Sequence, residues 1–233
     1  MTDGIETRES PQAKAEPARR PLTRERIVHA GLQLIDEQGL ESFTMRKLAQ
    51  EFGVDPMALY RHFANKGALL DGVAEMLWGE VELPGGDTTW EELLRAFAIS
   101  LRTLAHAHPH AYALLLTRQS LSLAMLRLSD VLLAHLQRAG FTQKRASEII
   151  CTICSYAMGY AMVELSALRS EPSEHGASGR TDIGRLTQIM RRLPRETPAR
   201  LVEVACILTD CDMDAQFLFG LDLILTSLRS SQR

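Results

Sequence analysis

The sequence predicts an all-α fold in two parts: a small amino-terminal three-helix unit, then a larger helical carboxy-terminal body. Apolar residues recur at helical spacing through each ordered segment, and the segments are separated at Gly, Pro or Asp. Nothing in residues 87–233 reads as a strand. With 45% apolar and 24% charged residues in 233, the composition suits a packed globular chain with an ample core.

Taken in order, residues 1–20 are rich in Glu, Ala, Pro, Arg and Ser without apolar periodicity, so a disordered arm is expected. Residues 22–38 place Ile27, Ala30, Leu34 and Ile35 on one face of an amphipathic helix that stops at Gly39. Leu40 and Phe43 lead into the next helix, with Ser42 or Thr44 as its cap. Residues 43–70 then give Met45, Leu48, Ala49 and Phe52 at helical spacing, an interruption at Gly53, and a new start at Asp55-Pro56. Gly53 stands where a helix ends most easily in a left-handed conformation. Asp55 offers a cap, and Pro56 at the first helical position loses no hydrogen bond. A helix, a tight turn and a second helix follow.

In the second helix Leu59 and Phe63 point inward, leaving Pro56, Met57, Ala58, Tyr60, Arg61 and His62 along or beside the outer surface. So many contact-making side chains with so little charge suit insertion into a DNA major groove, whose width of about 12 Å admits one α-helix. Lys66 puts a cation at the start of the next helix, against the dipole preference, which a nearby phosphate would explain. The plainer alternatives are a helix pair without a DNA role, and a protein-binding helical module.

The stretches TMRKLAQ (44–50), GVDPMALYRHF (53–63) and Asn65-Lys66 resemble the DNA-binding domain of the tetracycline-repressor (TetR) family. The pattern LYxHFxxK over 59–66 is the specific part. The resemblance implies that Arg46 forks onto guanine and that Met57 and Ala58 meet thymine methyls. It places Thr44, Tyr60, His62 and Lys66 at or near phosphates, and Arg61 on a phosphate or a base. Without DNA, Tyr60 would pack its ring on the helix below and Lys66 would be an ordinary surface lysine. Residues 19–66 carry eight Lys and Arg against six Asp and Glu, and the whole chain is at −3. Binding therefore depends on where Arg24, Arg26, Arg46, Lys47, Arg61 and Lys66 point. The Arg19-Arg20 pair either touches DNA or is solvated.

From Lys66 a helix runs through Leu69, Leu70, Val73, Ala74, Leu77 and Trp78 towards a break at residues 83–86, leaving one domain for the next. It is the obvious lever between them. The expected domains are an arm at 1–20, a helix-turn-helix domain at 21–67, and a ligand-binding and dimerisation domain at 68–233. Six helices are expected at about 88–107, 109–117, 119–138, 142–169, 182–207 with a break at Pro194, and 212–230, with a linker-like loop at 171–181 holding His175. The segments TWEEL (89–93), AGFT (139–142), YAMGY (156–160) and FLFGLDLIL (217–225) resemble the tetracycline-repressor type of carboxy-terminal domain.

That resemblance implies a homodimer joined by helices 142–169 and 212–230. Both are apolar on many faces, through Ile149, Ile150, Ile153, Tyr156, Ala157 and Tyr160, and Phe217, Leu218, Leu221, Leu225 and Leu228. Gly159 and Gly220 would let helices cross closely. A twofold dimer would present two reading helices to a double-stranded DNA operator. A pocket for a small-molecule inducer would draw on Trp78, Phe97, Leu101, His110, Tyr112, Met125, Tyr156 and Tyr160, each of which also reads as core. Counting back from Thr117-Arg118, the magnesium-holding histidine of the tetracycline repressor falls at about Leu114, so magnesium-tetracycline is not expected; His110 lies nearby.

His106, His108 and His110 alternate around Pro109 with no carboxylate beside them in sequence, so no metal site and no cofactor is expected. Cys151, Cys154, Cys206 and Cys211 sit in or beside apolar helical sequence and read as core thiols, with redox or metal roles the minor alternatives. There is no nucleophile with a base, no Gly-rich phosphate loop and no useful acid pair, which argues against an enzyme. Every apolar run is interrupted before the ~20 residues of a membrane span, and the polar, acidic start lacks a signal-peptide pattern. The expectation is a cytoplasmic, ligand-responsive transcription regulator, acting as a repressor.

Overall fold

The computed structural model describes residues 21–118, 122–169 and 212–230, and among these every regular element is an α-helix. They are α1 (Arg24–Gln38), α2 (Met45–Glu51), α3 (Pro56–Tyr60), α4 (Lys66–Gly79), α5 (Trp90–Ala107), α6 (Ala113–Thr117), α7 (Leu123–Arg138), α8 (Gln143–Arg169) and α9 (Met213–Ser230).

Helix starts in the first domain are set by short side chains one residue ahead. Thr23 accepts from the Arg26 N–H, Thr44 from Lys47, Asp55 from Met57 at 2.8 Å and Asn65 from Ala68 at 2.9 Å. Thr44 is thus the cap of α2, while the Ser42 hydroxyl donates back to the Gln38 carbonyl. Gly53 sits at φ 60°, and the Val54 N–H reaches the Ala49 carbonyl at 3.0 Å, closing α2 and turning the chain into α3. Ile27, Phe43, Leu48, Leu59 and Leu69 are completely buried and hold α1 to α4 together. Each such apolar side chain contributes about 1.5 to 3 kcal/mol by leaving water.

α4 packs on α1 at one side and on α6 and α7 at the other, so one helix joins the two parts. α5 lies against α8, and α8 also meets α7 and α9. A reciprocal capping box between Thr89 and Glu92 starts α5.

Three boundaries differ from expectation. α4 ends at Gly79, short of the 83–86 break, and the connection to α5 is anchored by buried Val81. The expected 109–117 helix forms only over Ala113–Thr117. The residue before a proline is pushed out of the helical region, and His108, at φ −127° and ψ 60°, ends α5 there. α7 begins at Leu123, capped by Ser122. The arm 1–20 with Arg19-Arg20, residues 119–121, the 171–181 loop, the 182–207 helix, and Cys206 and Cys211 lie outside the described residues.

α8 corrects a further point. By length and composition its residues 143–166 would suffice to cross a membrane. In this fold its inner face is instead buried through Ile149, Ile153, Ala157, Ala161 and Leu165, and Glu164 on it pairs with Arg102 of α5.

Candidate nucleic-acid interface and ligand domain

The reading surface is built on α3, a helix of five residues that depends on its neighbours. Leu59 and Phe63 fasten it from below. From the side, the Arg24 guanidinium donates to the His62 carbonyl at 2.5 Å and lies over the Phe63 ring at 4.1 Å. Met57 is 67% exposed and Tyr60 41%, so Tyr60 is turned to solvent rather than packed on the helix below. Arg61 is exposed, and Pro56, Ala58 and His62 are half-buried beside it. Thr44 and Arg46, at the start of α2, are exposed.

The six cations of this domain divide. Arg46 and Arg61 form no ion pair or side-chain hydrogen bond among the described residues. Arg24 is held as above, Arg26 donates to the Pro21 carbonyl, and Lys47 donates to the Gln38 amide oxygen at 2.9 Å. The Lys66 ammonium donates to the Phe43 carbonyl at 2.6 Å and lies 5.4 Å from the Phe43 ring. A cation at the start of α4 is therefore explained within the domain, without a phosphate; two further ammonium donors remain for one. Sequence reasoning missed Arg24 as the support of α3, since its partner is 38 residues away.

The eight pocket candidates fall in different surroundings. Phe97 and Leu101 are buried on α5. Trp78, with Val81, Leu83, Ala124 and Leu128, lines a cleft of about 270 Å³ between the end of α4 and α7. Met125 is half-buried on α7. Tyr112 is wholly buried and its hydroxyl has no partner among the described residues; burial, with Cys154 close by, holds its pKa well above that of a free phenol. His110 lies instead at the domain junction, its Nδ1 3.8 Å from where a side chain on Gly39 would begin. Tyr156 and Tyr160 belong to the seam with the last helix, donating to the Phe217 carbonyl at 2.7 Å and the Met213 carbonyl at 2.9 Å. Their rings flank Phe217, over which the Arg102 guanidinium sits at 4.9 Å. Gly220 is required there, because a Cβ would come within 2.3 Å of the Tyr156 hydroxyl; Gly159 faces open space.

Arg102 forks onto Glu164, at 2.8 and 2.5 Å, and reaches Asp214 at 2.5 Å. The hydrogen bonds that Arg102 donates to Glu164 outweigh the effect of burial and push the guanidinium pKa still higher. The histidines do meet carboxylates, brought from distant sequence. His106 lies 3.2 Å from Glu164, and His108 lies 2.7 Å from Asp36 and 2.9 Å from Glu80 on its two ring nitrogens. Asp36 and Glu80 sit on opposite edges of the ring and cannot chelate with it, and no metal-binding group was found among the described residues. Leu114, the position of the expected magnesium ligand, is buried. Cys154 is half-buried, with burial raising its thiol to about 11, whereas Cys151 is exposed rather than part of the core.

Two family models cover the chain: "Bacterial regulatory proteins, tetR family" matches residues 27–73, and "Tetracyclin repressor-like, C-terminal domain" matches residues 83–231. The chain belongs to the TetR family. The class C tetracycline repressor protein of Escherichia coli is 30% identical over 210 residues, 89% of this chain and 90% of that one. The apo structure of ActR from Streptomyces coelicolor matches with a TM-score of 0.75 at 27% identity, covering 91% of this chain and 96% of ActR. BioQ, solved with its natural double-stranded DNA operator, matches with a TM-score of 0.57 at 28% identity, covering 63% and 89%. As a TetR-family protein the chain is a ligand-responsive transcription regulator and not an enzyme. The family is dimeric, with an amino-terminal helix-turn-helix domain that binds DNA and a helical carboxy-terminal domain that binds ligands.

Proposed function

We propose that this TetR-family chain, in the cytoplasm, blocks transcription by occupying an operator through two copies of residues 21–67, and that a small molecule bound within residues 68–233 releases it. Arg46, Met57 and Ala58 read bases; Thr44, Tyr60, His62 and Lys66 hold the backbone, with Pro56 at the groove and Arg61 on a phosphate or a base. The observation that carries this reading is the pairing of an exposed, weakly charged α3 face with two arginines beside it, Arg46 and Arg61, that have no ion-pair partner among the described residues.

The two copies meet through α8 and α9. Of the apolar residues on which the sequence rests that interface, Ile149, Ile153, Ala157, Phe217, Leu221, Leu225 and Leu228 are buried within the subunit, while Ile150, Tyr156 and Tyr160 are half-buried and Leu218 is exposed. What remains outward supports the same face: Leu218 of that set, with Val163, Phe219 and Leu223, is 39 to 65% exposed, beside the open position of Gly159. For the inducer, Phe97, Leu101, Tyr112 and Met125 are the favoured set, with Trp78 at the cleft behind α4. The Tyr112 hydroxyl, buried and without a hydrogen-bond partner among the described residues, suits a largely neutral ligand offering one acceptor. ActR has been solved in complex with actinorhodin.

A gel shift on the DNA flanking the chain's own gene tests the reading. A discrete complex that survives excess random duplex supports it; binding that random duplex removes completely would sink it.

A further inference from the structure

We propose that His108, as a doubly protonated ring, pins the DNA-reading half to the ligand-binding half, and that operator affinity is tuned by pH through it.

The geometry carries this. His108 caps the end of α5, its Nδ1 lies 2.7 Å from the Asp36 carboxylate of α1, and its Nε2 lies 2.9 Å from the Glu80 carboxylate at the end of α4. Carboxylate oxygens offer only lone pairs, so both ring nitrogens must donate, and a ring donating on both sides is an imidazolium. A neutral ring would turn one lone pair against a carboxylate at hydrogen-bond distance. The carbonyl end of α5 also favours a cation. One ring thereby joins three helices from both halves of the chain. The second oxygen of Asp36 is buried without a hydrogen-bond partner among the described residues, so the ring is what compensates that carboxylate there.

The charged groups facing the ring are Asp36 from α1 and Glu80 from the end of α4, with Glu82 beside Glu80. On its own segment, His106 is turned to Glu164 and His110 to Gly39. Burial lowers the ring's affinity for its second proton, but Asp36 and Glu80 together outweigh it and leave the pKa above that of a free histidine. A raised folded-state value means the joint is complete below the ordinary histidine pKa and is lost as pH rises through the raised one. The freed DNA domain then samples more orientations, and binding two half-sites must fix it again, which weakens the complex.

The inference rests on the chain being an operator-binding regulator, and two measurements separate the two. The full-length protein is titrated with operator duplex by fluorescence anisotropy from pH 6 to 9 at fixed ionic strength, and the His108 ring is titrated by NMR on histidine-labelled protein. Wild-type affinity should fall about fivefold across the ring's titration, the low end of usual coupling between sites. His108→Gln should be flat over that interval, at the wild-type high-pH value; a profile in His108→Gln that matches wild type overturns the pin. Should that variant not fold, Glu80→Gln keeps the ring and removes one partner, so the ring must titrate lower and the affinity step must move with it. An unmoved ring titration overturns the proposal. Without any operator binding, the ring titration in wild type and Glu80→Gln still decides whether the pin exists.

Discussion

Arg24, Lys47 and Lys66, in the DNA-reading domain, end on neutral acceptors: the His62 carbonyl, the Gln38 amide oxygen and the Phe43 carbonyl. Beyond it, Arg95, Arg102, Arg118, Arg145 and Arg229 all end on carboxylates. A carbonyl orients a cation without cancelling its charge, whereas a carboxylate does both. A domain whose formal charges nearly balance can thus keep a positive outer field for a phosphate backbone, provided its tied cations are held by neutral groups. The ligand domain uses the same side chains as fasteners, and Arg102 joins α5, α8 and α9 in this way.

The largest test of this contrast is stability. Glu164 is buried and pairs with an Arg102 side chain that is itself only 16% exposed. Glu164→Ala leaves that guanidinium short of its main partner and should cost about 3 kcal/mol or more in urea unfolding, while the double change Arg102→Met with Glu164→Leu should recover most of it. Lys66→Met in the other domain removes a charged hydrogen bond to one carbonyl and a cation beside the Phe43 ring, and should cost about 1.5 kcal/mol. Equal losses at Glu164 and Lys66 would break the contrast.

The next test reads binding. Arg46→Ala should weaken operator binding by about 1 to 3 kcal/mol and relax preference at one base pair. Lys66→Ala should weaken binding to every duplex alike and lower the salt dependence by about one phosphate contact. If both variants lose the same fraction on operator and on random DNA, no division into readers and holders survives.

These contrasts were unevenly legible in the sequence. Caps at Thr44 and Asp55 could be read because the group each one satisfies lies two or three residues on. The exposed face of α3 followed from Leu59 and Phe63 alone, for a helix with two inward anchors has its outward side chains fixed. What failed was long-range. Arg102 and Glu164 are 62 residues apart, and His108 and Asp36 72, with no periodicity linking them. Tyr156 and Tyr160 have the spacing and chemistry of pocket residues; only the position of α9 shows their hydroxyls turned to its carbonyls. The proposed dimer face was legible as a pair of helices but not residue by residue: Leu218 is exposed, whereas Phe217, Leu221 and Leu225 are buried within the subunit. An all-round apolar helix reveals that it is covered on several sides, but not which side its own chain covers.

The smallest expected effect isolates charge from structure within the reading domain. Asp55 caps α3 through its hydrogen bond to the Met57 N–H, and it places a carboxylate at the edge of the surface that would face DNA. Asp55→Ser retains a capping oxygen of nearly equal quality, so the thermal midpoint should stay close to that of wild type. Only the negative charge is removed, from an exposed and well-screened position, and a change of about 0.5 kcal/mol is appropriate for such a site. Affinity for operator and random duplex should therefore rise together, about twofold, and the gain should fade at high salt. Asp55→Ala removes the cap as well and should lower stability by about 1 kcal/mol. A gain confined to operator DNA would mean that Asp55 takes part in reading bases, and α3 would then discriminate by its start as well as by its outer face.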